Sequence, residues 1–566
     1  MISVTIAVIV LAIIGNILIY TAKDNIDISR INKLKNDIEL LETKISTFYI
    51  DNDKIPVLCK IESTQDIPLA ENDLGDFYVI DLERLDSLTL NYGKGYYKIK
   101  ENYSNLTLVD DIYIINEVSH NVYYRKGINV EGKESKLYRA NSDEQYEKVE
   151  LDTYSMDNFC SKPLISDGMI PIKHNGTNWV VCSEDDPEWY NYEEQESTTE
   201  EGGTSKWANI MLSDGIYKEG SVAVGTEIAQ NDLGSIFVWI PRYAYSITKG
   251  YHSNQEGNID IKFIGTNIKD AGDIIKSHLT LQKDIVIDNE QGEDKWNIPT
   301  AFKYEDRELS GFYVAKFQAS KNNDKITVKA NASPWRSMTI SNMLTTCINM
   351  NNSTNAANYG INSNDEIIDP HMLKNSEWGA VAYLAHSEYG RNGTEVRINN
   401  NSNFITGIGA EISSAGETES TTHSYNTQIG KLASTTGNIT GVYDMSGAAY
   451  EFVAAYVDGE IDDSYAALVN ADSKYKDVYS SNYDLNLDIY ADAVYETSNL
   501  DSEVNSWNGD SSTFPGISSE KHEPFFERGS CFEGTSNAGI FAFTSGNGRA
   551  SSDFAFRPSI ALVNNK

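Results

Sequence analysis

The sequence predicts an α+β fold: a long N-terminal helix, transmembrane at first and amphipathic after it, a small antiparallel β head, and then a large loop-rich domain. Three observations predict it. Ile2 to Tyr20 is an apolar run without a charge, about 28 Å long as a helix and matched to a bilayer core of about 30 Å. Directly behind it Ile31, Leu34, Ile38, Leu41, Ile45 and Phe48 recur at steps of three and four, the stripe of an amphipathic helix. From Val57 onward the text changes to short alternating runs, DFYVIDL, GYYKIK, DIYIINE and NVYYRKG, separated by Gly, Asn and Asp, which read as antiparallel strands with tight turns.

These signals set four segments: 1–22 a transmembrane helix, 23–56 its amphipathic continuation closed by Asn52 and Pro56, 57–165 the β head, and 166–566 the remainder. A chain of 566 residues exceeds one compact core and is expected to fold as two or more domains. The location that follows is a single-pass cell-membrane protein with its bulk extracytoplasmic, at the cell surface. Lys23, Arg30, Lys33 and Lys35 follow the apolar run, and counted alone they would put the far side in the cytoplasm.

Formal charge is −37. Such a surface repels phosphate backbones, so nucleic acid is excluded as a partner. The five cysteines, Cys59, Cys160, Cys182, Cys347 and Cys531, show no metal-ligand spacing. Cys59 and Cys160 bracket the head and could clasp it, or both could be buried thiols. Glu184 to Ser205 reads as a solvated acidic loop with no EF-hand order of ligands. The stretch from Asp458 to about Pro515, rich in Asp, Ser and Tyr, reads as a surface excursion.

One long helix, greasy then amphipathic, ending in FYIDNDKIP and followed by a meander, resembles the N-terminal helix and head of type IV pilins and type II secretion pseudopilins. The resemblance implies membrane anchoring and other pilin-like subunits as partners. It departs from the pattern at Met1, where no basic leader precedes the apolar run, and near Thr5, where those subunits carry Glu.

Further on, GFYVAKFQAS at Gly311, LKNSEWGAVAYLAHSEYG at Leu373, GNITGVYDMSGAAYEFVA at Gly437, and RGSCFEG with FAFRPSIAL at the end resemble, in that order, the C-type-lectin-like fold of the formylglycine-generating (sulfatase-modifying) enzyme superfamily. Read as residues, the Leu373 segment is a helix capped by Asn375 or Ser376, with Trp378, Val381, Ala382 and Leu384 on its apolar face. Tyr443, Met445, Tyr450 and Phe452 read as packing residues. Arg528, Arg549 and Arg557 either face a ligand or tie loops to carbonyl groups.

The resemblance places the paired copper-binding cysteines of that superfamily in GIFAFTSGNGRASSDF, which holds none. Cys531 is a lone thiol, and no His-x-x-x-His pair exists. The chain is therefore expected not to be an enzyme. The resemblance also implies a structural calcium ion on Asp444, Gly447, Ala449 and Glu451, although Glu451 could equally salt-bridge an arginine. Relatives of this fold that serve as receptor-binding or adhesive proteins carry recognition on their terminal loops. By that analogy Phe532, Glu533, Asn537, Phe541, Asn547 and Arg549 form the ligand-facing set, and several of them, Phe541 especially, could be core. The expected function is adhesion or receptor binding to a glycan or protein ligand on another surface. A divergent enzyme of the superfamily and a purely structural surface or pilus subunit are the alternatives.

Overall fold

The structure is a computed structural model. It describes residues 25–563 except 53, 62–66, 68–72, 74, 86–87, 89, 102–108, 129–135, 137, 140–159, 196–201, 276–284, 289, 363–367, 411–422, 484–485, 487, 500–505 and 518–521. The chain divides into two compact units, residues 1–153 and 154–566.

In the first unit, Asn25–Asn52 is one helix. Its stripe of Leu34, Ile38, Leu41 and Ile45 is buried, as a repeat of three and four requires when one face meets a sheet. That sheet runs Val57–Ile61, Phe77–Ile80, Tyr113–Asn116 and Val122–Tyr124 in chain order, each pair antiparallel. Asp37 fastens the helix: its carboxylate accepts from the backbone nitrogens of Asn91 and Tyr92, from Asn91 Nδ2 at 2.7 Å and from the Tyr113 hydroxyl at 2.7 Å. GYYKIK is not a strand but part of the short helix Tyr96–Glu101. Tyr96 and Ile99, three residues apart, turn inward while Tyr97 and Lys98 face out. A short run with apolar residues at both spacings fits either period, and packing decides.

The fold class read from the sequence is corrected here. Sheet dominates the described residues, and among them no helix is long and apolar enough to cross a membrane. The apolar run 2–20, on which the transmembrane reading rested, lies outside the described residues. The expectation of a single-pass, membrane-anchored protein at the cell surface is corrected with it, since no helix among the described residues is long and apolar enough to span a bilayer.

The second unit is built on an antiparallel sheet of eight strands. Their order is Ile368–Met372, Pro558–Leu562, Gly311–Ala315, Ile236–Pro241, Asn209–Leu212, Met169–His174, Trp179–Val181 and Glu227–Ile228. The strand Pro558–Leu562 pairs on one side with Gly311–Ala315 and on the other with the edge strand Ile368–Met372, and its residues are buried. A second sheet is ordered Asp477–Tyr479, Tyr450–Val457, Phe525–Arg528 and Phe543–Gly546, with Phe554–Ala555 joined parallel to Tyr450–Glu451.

The helix Asn375–His386 is buried on every side. Trp378 donates from Nε1 to the Ile540 carbonyl at 2.8 Å, and Gly379 meets the backbone of Ala491 and Asp492 so closely that a Cβ would collide. Its first turn is held by carboxylates rather than by Asn375 or Ser376: Glu377 accepts from Lys374 N at 2.9 Å and Asp477 from Ser376 N at 2.7 Å. An acidic group there suits the positive end of the helix dipole.

Two loop expectations change. Within Glu184–Ser205, Trp189 and Tyr192 are core residues, tied to the carbonyls of Asn209 and Trp239. The stretch 458–515 contributes Tyr479, Ala493, Val494 and Trp507 to the core and a strand to the second sheet. All five cysteines are free thiols, Cys59 and Cys160 among them.

Candidate functional site

The segment Gly441–Val457 leads from a turn into the central strand of the second sheet. Asp444, Gly447 and Ala448 adopt left-handed backbone, with φ of 61°, 78° and 59°. For a non-glycine residue this costs about 1–2 kcal/mol. Hydrogen bonds to distant segments hold it: Gly447 N donates to the Gly529 carbonyl at 2.9 Å and Ala448 N to that of Asn399 at 2.6 Å.

Asp444 is buried, and burial pushes its carboxyl up to about 6. Its Oδ1 accepts from Asn399 Nδ2 at 2.7 Å and from Gly407 N at 2.8 Å. Glu451 is gripped by Arg557, whose Nε reaches Oε2 at 2.7 Å and whose Nη2 reaches Oε1. Gln318 lies between them. Its backbone nitrogen faces Asp444 Oδ2 at 3.4 Å, and its Nε2 donates to the Ala449 carbonyl at 2.8 Å and to Glu451 Oε1 at 3.2 Å.

Of the four positions expected to hold calcium, Ala449 and Glu451 thus meet the Gln318 side-chain amide and Asp444 its backbone nitrogen, while Gly447 N is tied to the Gly529 carbonyl. Calcium takes six to eight oxygens. Here an N–H donor stands amid the oxygens and a guanidinium caps the carboxylate, so the residues present do not fit a calcium ion. Among the described residues no group of three or more His, Cys, Asp or Glu could hold a metal.

The six residues expected to face a ligand separate. Phe541 is corrected to the core: it is fully buried against Trp507, His386 and Tyr383, at ring distances of 5.2, 5.3 and 6.4 Å. Glu533, Asn537, Asn547 and Arg549 are exposed and Phe532 half-buried. Phe532 N donates to the Ala448 carbonyl at 2.8 Å, which fixes that loop on the turn just described. Asn547 Oδ1 accepts from Arg549 N at 3.1 Å, a local turn.

What joins the two loops is Arg336, which the sequence reading missed. Its guanidinium stacks on Phe404 at 4.1 Å and donates to the Ser552 carbonyl. Phe404 in turn meets Phe532 edge-on at 5.0 Å. Ser337 N and Ile340 N bind the carbonyls of Ser551 and Gly548, so loop 547–553 lies against segment 336–340. The half-buried Tyr450 and Phe554 continue the aromatic surface, 6.1 Å apart. Trp–Arg in SPWRSM was the available signal, since an arginine beside a partly exposed aromatic marks contact surface more often than core.

The three arginines divide as their surroundings dictate. Arg528 is buried and donates to the carbonyls of Ala493 and Ile540, Arg557 binds Glu451, and Arg549 is exposed. Burial raises the Cys531 thiol above its ordinary range, so it stays protonated at neutral pH and is a poor nucleophile.

No family model matches the chain, and a search of curated proteins found no match.

Proposed function

We propose that the chain is a recognition protein of the kind used in adhesion or receptor binding. It takes a glycan or protein ligand on the face formed by Arg336, Phe532 and Tyr450 over the buried Phe404, with Glu533 and Arg549 at its margin. The observation that carries this reading is the stack of Arg336 on Phe404 beside the half-exposed Phe532. Arginine and aromatic side chains supply most binding energy in recognition surfaces because they offer large area, a planar cation and little flexibility. The face is also anchored: Arg336 and Phe532 are each bonded to backbone of a second segment, which limits the ordering cost on binding. The order of the sequence motifs, with their resemblance to a superfamily whose relatives recognise ligands on terminal loops, agrees with it.

An array of immobilised glycans and proteins tests the proposal. The full chain should be retained selectively, and Arg336→Ala and Phe532→Ala should each lose at least about tenfold in affinity, the effect of one good contact. Undiminished retention of both variants would place recognition elsewhere.

A further inference from the structure

We propose that the side-chain amide of Gln318 does in this chain the structural work of a divalent cation, so that the Asp444–Glu451 turn, and the Phe532 loop bonded to it, are built without one. The proposal rests on the geometry of the turn and not on the ligand-binding reading.

An amide nitrogen carries two hydrogens. Gln318 Nε2 directs its hydrogen bonds to the Ala449 carbonyl and to Glu451 Oε1, while its Oε1 faces Ala449 N at 3.5 Å. One side chain therefore ties the turn's backbone to its carboxylate, which is what a shared cation would do. The second carboxylate, Asp444, meets the same residue through the Gln318 backbone nitrogen at 3.4 Å.

Charge balance agrees. A divalent ion at this point would stand beside the Arg557 guanidinium, which already takes both oxygens of Glu451 and is completely buried. With one arginine and one neutral amide, Glu451 is neutralised and accepts three hydrogen bonds; with a divalent cation added, three positive charges would face two carboxylates at low dielectric. Gln318 is itself fully buried, so making room for an ion means turning a long polar side chain into a packed core.

Hydrogen exchange of the 441–454 segment in the full-length chain, measured in EDTA and in excess calcium chloride, tests the proposal together with two variants. Wild type should exchange at the same rate in both solutions. Gln318→Met, equal in length but without donors, should exchange faster in both, with no calcium effect. Gln318→Glu replaces two donors by a carboxylate facing Glu451, on the residue whose backbone nitrogen meets Asp444. It should exchange faster in EDTA, by like-charge repulsion, and recover in calcium, because three carboxylates and the Ala449 carbonyl then offer a hard-oxygen site. Calcium-dependent protection in wild type, or in Gln318→Met, would overturn the proposal. So would Gln318→Glu that exchanges alike in the two solutions.

Discussion

Glu451 and Glu496 are buried to the same degree, each about 1% exposed, and the protein treats them in opposite ways. Glu451 meets a guanidinium fork, and that arginine also donates to the carbonyls of Ala315 and Tyr443, both at 3.0 Å. Among the described residues Glu496 meets no cation. It accepts from the Tyr245 hydroxyl at 2.7 Å, the Tyr383 hydroxyl at 2.9 Å and Ala491 N at 2.9 Å. Burial first, and the neighbouring Asp492 second, push its carboxyl up to about 8. The first arrangement is a fixed charge pair that joins the strand Tyr450–Val457 to the C-terminal strand. The second is a proton-binding centre that joins residues 491–496 to the strand Tyr243–Lys249 and the buried helix. Equal burial therefore does not set equal chemistry; the presence of a counter-charge does.

The largest effect should come from breaking the charged member. Arg557→Leu leaves Glu451 without its cation in a closed site, a loss of about 3–5 kcal/mol in urea unfolding. Adding Glu451→Leu should recover much of it, because no lone charge then remains. A single variant that loses less than about 1 kcal/mol would mean the pair acts like a surface bridge.

The neutral member should show itself as a pH dependence. A folded-state value of about 8 against an ordinary 4.5 means the folded protein binds a proton the unfolded chain has released. Stability from Glu496 is thus complete below about 4.5 and falls as pH rises through about 8. Glu496→Gln should flatten that fall in a series of urea curves from pH 5 to pH 9. It should not abolish it, since Glu527, buried beside Glu523, is also pushed up to about 8. Equal slopes for variant and wild type would deny Glu496 the role.

How much of this was legible in the sequence depended on distance along the chain. The stripe Leu34–Ile38–Leu41–Ile45 and the apolar face of the Trp378 helix follow from local period, and both are buried as their spacing requires. Arg528 and Arg557 could be read as ties to carbonyls or as ligand contacts, and the structure assigns them the first role. Gln318 was not legible: its partners Asp444, Ala449 and Glu451 lie 126, 131 and 133 residues away, and no local pattern marks it. Phe541 sits in a run of small and polar residues that looks like an exposed loop, yet its ring fills space against Trp507 and His386. Within 458–515, acidic and polar composition suggested a surface excursion because Asp477 and Asp492 are buried as hydrogen-bonded groups, which composition alone counts as solvated.

The smallest effect sharpens the contrast most. Tyr383→Phe removes one hydroxyl from the Glu496 ring and nothing from its packing, so at pH 5.5, where the carboxyl is protonated, the loss should be about 1 kcal/mol or less. Above the titration the phenol donates to a carboxylate, and a hydrogen bond to a charged group is worth about 1.5–3 kcal/mol. The destabilisation by Tyr383→Phe should therefore grow between pH 5.5 and pH 9. In the Glu496→Gln background, where no charge forms, it should stay constant. Growth that persists in that background would trace to another titrating group, with Asp492 the nearest candidate, whose own carboxyl burial pushes up to about 6. Because that group would finish titrating at lower pH, the midpoint of the growth, near 6 or near 8, separates the two carboxyls directly.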